Sequence, residues 1–298
     1  MPSEYRERVE RMQSAAAHWR AVIAFALMGF GAPAHAQGVA PLWKVEMDRA
    51  DSLQQAGAVA PALALMDSAV ALARVDKNPA AWGKALLQQA MQYQMLGGND
   101  RALTVLYQAL ALTKQRGDEP GLADVYNSIG AIQHAQKNYA KAEEFYRSSG
   151  AIVQRLGLVR ETAKYWNNMG TLYQDKGLPR EAITWLQKSL ATWEALHDTG
   201  WAAISYLNLG TCYQQLGNSD SARTYLAASM HNLSGTGSEY QLNLARIQYG
   251  LNERDAGRPR EALHWCGAVL ADAQRMRNGP LGTRSLRMPC RCLRSAWR

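Results

Sequence analysis

The chain has 298 residues, 47% of them hydrophobic and 19% charged, which excludes disorder throughout and allows one long domain or two ordinary ones. Only three Phe stand against abundant Ala, Leu and Gln, a balance that favours helices over a β-sandwich or barrel. The formal net charge of +8 sits at the ends: residues 1–36 carry +1, residues 275–298 carry +7, and 37–274 are neutral, so no nucleic-acid partner is expected of the body.

At the N-terminus, residues 21–34 form a short uncharged apolar run. His18, Trp19 and Arg20 precede it, and Ala34-His35-Ala36 follows with the small-x-small pattern read by signal peptidase. This three-part layout predicts a secretory signal over 1–36, cleaved after Ala36, and a protein exported to a bacterial periplasm. The run has 14 residues, fewer than the roughly 20 that a membrane-spanning helix needs. Gly29, Gly31 and Pro33 interrupt it, which also disfavours a core helix. Met12 offers a second start with a shorter leader. Residues 37–42 read as a linker. No later apolar run reaches 18 residues, so no membrane span is expected after cleavage.

The body repeats. Ala50, Ala90, Gly130, Gly170, Gly210 and Gly250 are 40 residues apart. Twelve residues after each stands an alanine: Ala62, Ala102, Ala142, Ala182, Ala222 and Ala262. Seven after each stands Gly57, Gly97, Gly177, Gly217 or Gly257, with Lys137 replacing glycine once. Six units follow, at 43–82, 83–122, 123–162, 163–202, 203–242 and 243–282, and each reads as two helices joined by a turn. In the fourth, the first helix spans 164–176, Gly177-Leu178-Pro179 is the turn, and the second helix runs from Arg180 to about Leu196. Ala182, Ile183, Leu186 and Leu190 form its apolar stripe. Pro61, Pro179 and Pro259 fall at the turn, and Pro79 and Pro120 between units, so no proline interrupts a helix. Where the two helices cross closely, only Gly or Ala leaves room, so Gly170 is expected to touch Ala182. Tyr93, Tyr173 and Tyr213, three residues after the small position, fill the space between helices; Gln133 and Glu253 take that place elsewhere.

The spacing of Trp166, Gly170, Tyr173, Gly177, Ala182 and Leu186 resembles the tetratricopeptide repeat. The longer period and the Asn168/Asn208 column are similar to its longer-helix variant, found in regulator and cargo-binding modules. The resemblance covers about 240 residues, and the first and last units diverge most. It implies an all-α, superhelical solenoid of six helix-turn-helix repeats whose first helices line a concave surface.

The first-helix face opposite the expected core carries Lys84, Asp124 and Lys164 near its start, then Asn127 and Asn167. Gln54, Gln94, His134, Gln174, Gln214 and Arg254 lie four residues after the small position, beside a row of Gln88, Ser128, Asn168, Asn208 and Gln248. Amides donate and accept together, so this ladder suits the backbone of an extended peptide. The expected partner is therefore a protein or peptide, held by Gln94, Asn127, His134, Asn167, Asn168, Gln174, Asn208 and Gln214. Leu87, Met91, Leu207, Ile247 and Leu251 add apolar surface on the same face.

Catalytic, cofactor and metal sites are not expected. The six His form no His-x-x-x-His pair, and Walker, kinase and nucleophile-elbow signatures are missing. Cys212 and Cys266 read as small buried residues, and Glu143 and Glu144 as solvent-facing carboxylates. Trp185, Trp265, Phe145 and Tyr225 share one second-helix column as packing residues. Ser234 to Ser238 is a glycine-rich loop between units. From about Asn278 the periodicity stops, and 283–298 form an irregular basic tail containing Cys290-Arg-Cys292. A frameshift or truncation is the preferred reading of this tail; contact with anionic headgroups or a partner is the other. Two functions follow: an exported, non-enzymatic binding scaffold, or the truncated periplasmic sensor portion of a membrane signalling protein of histidine kinase or diguanylate cyclase type.

Overall fold

The computed structural model describes residues 40–234 and 238–275. The expected signal over 1–36, most of the linker, the centre of the 234–238 loop and the basic tail lie outside the described residues. The described residues contain twelve helices and no strands: α1 Leu42–Gln55, α2 Val59–Val75, α3 Pro79–Met95, α4 Asn99–Arg116, α5 Glu119–Ala135, α6 Tyr139–Arg155, α7 Val159–Asp175, α8 Pro179–Ala195, α9 Thr199–Gln215, α10 Ser219–Leu233, α11 Glu239–Asp255 and α12 Pro259–Arg275. They pair as six antiparallel hairpins stacked into an all-α superhelical solenoid, and no described helix is long and apolar enough to cross a membrane.

The hairpins turn by one device. At the end of α7, Gly177 N–H donates to the Gln174 carbonyl at 3.0 Å and Leu178 N–H to the Tyr173 carbonyl at 2.9 Å. Gly177 has φ +74°, the left-handed conformation this cap requires. Lys137, which stands where other units have glycine, takes the same conformation with φ 61°. The link between hairpins uses the device again: His197 has φ 53°, and Asp198 N–H donates to the Trp193 carbonyl at 3.0 Å.

The first helix of the fourth unit starts five residues earlier than the small-residue register alone predicts, at Val159 rather than Lys164. In three first helices the start signal lies in the preceding residue: Asn78, Asp118 and Asp198 each accept, through the side chain, a backbone N–H three residues on, so they cap α3, α5 and α9, and Asn218 caps the second helix α10 in the same way. Pro79 and Pro120 therefore belong to the first turns of α3 and α5, not to a gap between units. The N–H groups of a first turn have no partner inside the helix, so proline is tolerated there.

The seam between the two helices of a hairpin is made of small residues. All six alanines of the column, Ala62 to Ala262, are buried. A Cβ on Gly170 would lie 2.5 Å from Leu186 Cγ and 3.3 Å from the Ala182 carbonyl oxygen, and one on Gly210 would lie 2.6 Å from Leu226 Cγ. A second small column lies seven residues further on: the Ser189 and Ser229 hydroxyls, fully buried, donate to the Ala163 and Ala203 carbonyls at 3.0 and 2.8 Å. Phe145, Trp185, Tyr225 and Trp265 each pair with an aromatic ring of their own hairpin's first helix, as Trp185 does with Tyr165 at 5.9 Å.

Curvature follows from which helices meet. The first helices of neighbouring hairpins approach one another along the whole series α1, α3, α5, α7, α9 and α11. Among the described residues no second helix approaches the next second helix. The first helices therefore lie on the inside of the bend.

Candidate functional site: the face of the first helices

The inner face is built from the row three and two residues before each small position and the row four and five after it. Seven residues separate these rows, two turns or about 10 Å along the helix. Both rows are tied from hairpin to hairpin. Asn168 Nδ2 donates to Asn127 Oδ1 at 2.6 Å, and one hairpin later Asn208 Nδ2 donates to Asn167 Oδ1 at 3.0 Å. In the other row, His134 Nε2 meets Asp175 Oδ2 at 2.9 Å, and Gln214 Nε2 donates to Asp255 Oδ2 at 3.0 Å. Between them the Cys212 thiol lies 3.6 Å from Gln174 Oε1.

Seven of the eight residues expected to hold a partner are thus engaged with a neighbouring hairpin, and Gln94 stands half-buried without such a link among the described residues. Asn167 is 6% exposed, so it is a link between α7 and α9 rather than an open groove residue. The reason is that a first helix is packed on both flanks, against its own second helix and the preceding one, which leaves a narrower free stripe than an ordinary amphipathic helix has. Asn127, Asn168, Asn208, Gln174 and Gln214 remain half-buried on that stripe. An amide has two N–H groups and two acceptor lone pairs, and one cross-link leaves capacity for a ligand backbone.

Around the amides the stripe changes character. Met91 and Met95 of α3 are 50% and 48% exposed. At the other end Ile204, Leu207, Leu244 and Leu251 are half-buried. Apolar residues thus stand on either side of the amides, Met91 and Met95 on α3 and the Ile and Leu residues on α9 and α11. Burial pushes the Cys212 thiol up to about 12, so it is a neutral thiol and not a nucleophile at ordinary pH. Among the described residues no group of three or more His, Cys, Asp or Glu is placed to hold a metal ion.

Glu143 differs from its expected position in solvent. Its carboxylate is lodged between hairpins, where Tyr173 Oη and Lys176 Nζ each donate to it at 3.0 Å and Arg147 Nη2 at 2.8 Å. Desolvation works against the charged form, but these donors prevail and hold the carboxyl at about 2. Sequence reasoning also missed Asp175 and Asp255, the acceptors of the lower row. They stand one residue beyond His134's and Gln214's own column, a spacing of 41 that a search at 40 passes over.

Residues 83–155 and 161–232 match the family model described as "Tetratricopeptide repeat", and those segments are tetratricopeptide repeats. No curated protein sequence matches the chain. The solved structure of NprR in complex with its cognate peptide NprX is similar at 14% identity and a TM-score of 0.67, over 99% of this chain and 85% of NprR. A Rap protein complexed with competence and sporulation factor is similar at 14% identity and a TM-score of 0.57, over 77% of this chain and 64% of that one. A signal transduction ATPase with numerous domains from Pyrococcus horikoshii, which has a tetratricopeptide repeat sensor, aligns at 14% identity and a TM-score of 0.64; the chain spans 85% of its own length but only 39% of that protein. At these identities the likeness is one of fold.

Proposed function

We propose that this protein is an exported, non-enzymatic scaffold that binds a peptide or an extended protein segment along the inner face of its first helices. The observation that carries the reading is the row of half-buried amides at Asn127, Asn168 and Asn208, cross-linked at one atom each, with Met91 and Met95 on one side and Leu207 and Leu251 on the other. A ligand backbone finds donors and acceptors in the middle and apolar side-chain seats on either side. The similar folds of NprR and the Rap protein, each solved with a peptide or factor, support the same use of this one. Export rests on the leader: cleavage after Ala36 places the repeats, read as the 40-residue variant, in the periplasm.

The test is capture from a random nonapeptide pool by the purified protein, with bound peptides read by mass spectrometry. Binding that is lost in Asn168→Ala/Gln214→Ala, with folding checked by circular dichroism, supports the reading. Capture unchanged by groove substitutions counts against it. N-terminal sequencing of the periplasmic fraction tests export, and the expected first residue is Gln37.

A second reading is supported by the tetratricopeptide sensor of the signal transduction ATPase and its greater length. The chain would then be the sensing portion of a membrane signalling protein whose output is a histidine kinase or nucleotide cyclase. Downstream DNA encoding an apolar run of about 20 residues in another frame is the expected sign of it.

A further inference from the structure

Gln94 differs from other members of its row, and the cause stands on the next hairpin. His134 meets Asp175 and Gln214 donates to Asp255, each 41 residues on. At the same offset from Gln94 stands Ala135, whose methyl offers no acceptor. The Gln94 side chain is thus left without a hydrogen bond among the described residues, and it keeps accessible surface on the inner face. Its N–H groups and its carbonyl are both open to a ligand.

Apolar surface adjoins this amide. Met91 and Met95 of the same helix are 50% and 48% exposed. Leu87, Met91 and Gln94 follow at helical spacings of four and three, so they share one face of α3. Fixed charge is missing here. No Asp, Glu, Lys or Arg lies between Lys84 and Asp100, nor between Asp124 and Lys137, and α3 and α5 are neighbouring first helices. The one imidazole in those stretches, His134, is engaged by Asp175. A charged ligand group would find no counter-ion at this place, whereas an apolar side chain would bury itself against two flexible thioethers.

We propose that Gln94, Met91 and Met95 form an anchor seat on the second hairpin for one large, uncharged, apolar residue of a bound peptide, with the Gln94 amide paired to that residue's backbone. This deepens the peptide reading and rests on it. The later hairpins spend part of their polar capacity on holding the face in shape, and α3 keeps its own for the ligand.

The methionines supply the readout. Dilute hydrogen peroxide oxidises exposed thioethers to sulfoxides, and the buried Met47, Met66 and Met169 serve as slow references. Two nonapeptide pools are compared, one random in every residue except Met and Cys, the other further lacking Val, Ile, Leu, Phe, Tyr and Trp. The random pool is expected to be captured at least about tenfold better than the polar pool, and to slow sulfoxide formation at Met91 and Met95 in mass spectrometry. Gln94→Ala and Met91→Gln/Met95→Gln should each weaken capture about tenfold with little change in urea midpoint, since these side chains tie no hairpins together. Met91→Leu/Met95→Leu, which restores apolar surface, should recover most of the loss seen with glutamine. Equal capture of both pools, full capture by Gln94→Ala, or capture that leaves both methionines oxidising at the free rate overturns the seat and leaves the peptide reading standing. If no pool is captured but N-acetyl-leucinamide slows oxidation at both methionines, the seat stands and the peptide reading falls. If neither the pools nor that probe act, both fall.

Discussion

Arg223 of α10 and Glu253 of α11 meet across the fifth and sixth hairpins, with Arg223 Nε 2.9 Å from Glu253 Oε1 and the glutamate side chain wholly buried. Arg258 donates to the same carboxylate from the following turn. Eighty residues earlier the same two positions hold Glu143 and Tyr173, where the hydroxyl donates to the carboxylate at 3.0 Å. One socket between hairpins is thus filled by two chemistries with the acid on opposite sides.

The socket predicts a charge transplant. Glu253→Tyr alone removes the acid that Arg223 and Arg258 share. Removing one partner of a buried pair costs about 3–5 kcal/mol, and the loss here should be nearer 2 because the arginines are 36% and 33% exposed and can hydrate. Adding Arg223→Glu recreates the arrangement of Glu143 with Tyr173. The double variant should recover at least about 1 kcal/mol over additivity in a denaturant double-mutant cycle. Strict additivity would show that the two sites are not one socket.

Acid should loosen the two glutamate sockets together. Desolvation opposes ionisation of Glu143 and Glu253, yet their hydrogen-bond donors hold both carboxyls at about 2 against an ordinary 4.5. A folded value below the unfolded one means that the stabilisation is fully present above about 4.5 and is lost as pH falls from there through about 2. Urea midpoints measured at pH 6, 4 and 3 should fall in that order. Glu143→Gln/Glu253→Gln should start lower and flatten the fall. A fall of unchanged steepness in that variant would assign the acid sensitivity elsewhere.

The hairpin seam should not accept an added methyl. Gly170→Ala puts Cβ against Leu186 and a carbonyl oxygen, and overpacking of this kind costs about 1–3 kcal/mol. Lys137→Gly goes the other way: it relieves a left-handed side-chain residue at φ 61° and should raise stability by a fraction of that amount. Thermal melts of the two variants should move in opposite directions.

The seam was legible because Gly170, Gly210 and the alanine column are dictated by the closeness of two backbones, a constraint that recurs identically in every hairpin. The helix starts were legible too, in the capping residues Asn78, Asp118 and Asp198, although the small-residue register alone misplaced them. The inner face was less legible. Asn167 and Asn168 are neighbours of the same type, yet one is buried and accepts from Asn208 while the other reaches back to Asn127. Which way each amide turns depends on the rotation between successive hairpins, and that angle is set by packing on both flanks rather than by any residue's own pattern. The Glu143 socket was hidden for the same reason: its donors Tyr173 and Lys176 come from the next hairpin.

Trp193 gives the sharpest contrast between two substitutions at one position. It is fully buried and stacks on Trp201 at 5.2 Å and 17°, with the Arg160 guanidinium 5.2 Å over its own ring and Lys164 5.6 Å over that of Trp201. Its indole N–H is buried with no partner among the described residues. Trp193→Ala removes the ring and leaves a cavity, so it should cost about 3–5 kcal/mol. Trp193→Phe keeps an aromatic face for the stack and removes the orphan donor, whose burial costs about 1–3 kcal/mol. The gain offsets the lost volume, and the Phe variant should lie within about 1.5 kcal/mol of the parent in guanidinium unfolding followed by far-UV circular dichroism. A Phe variant as unstable as the Ala variant would mean that the indole N–H is satisfied in solution and that ring size alone sets the stability of this junction.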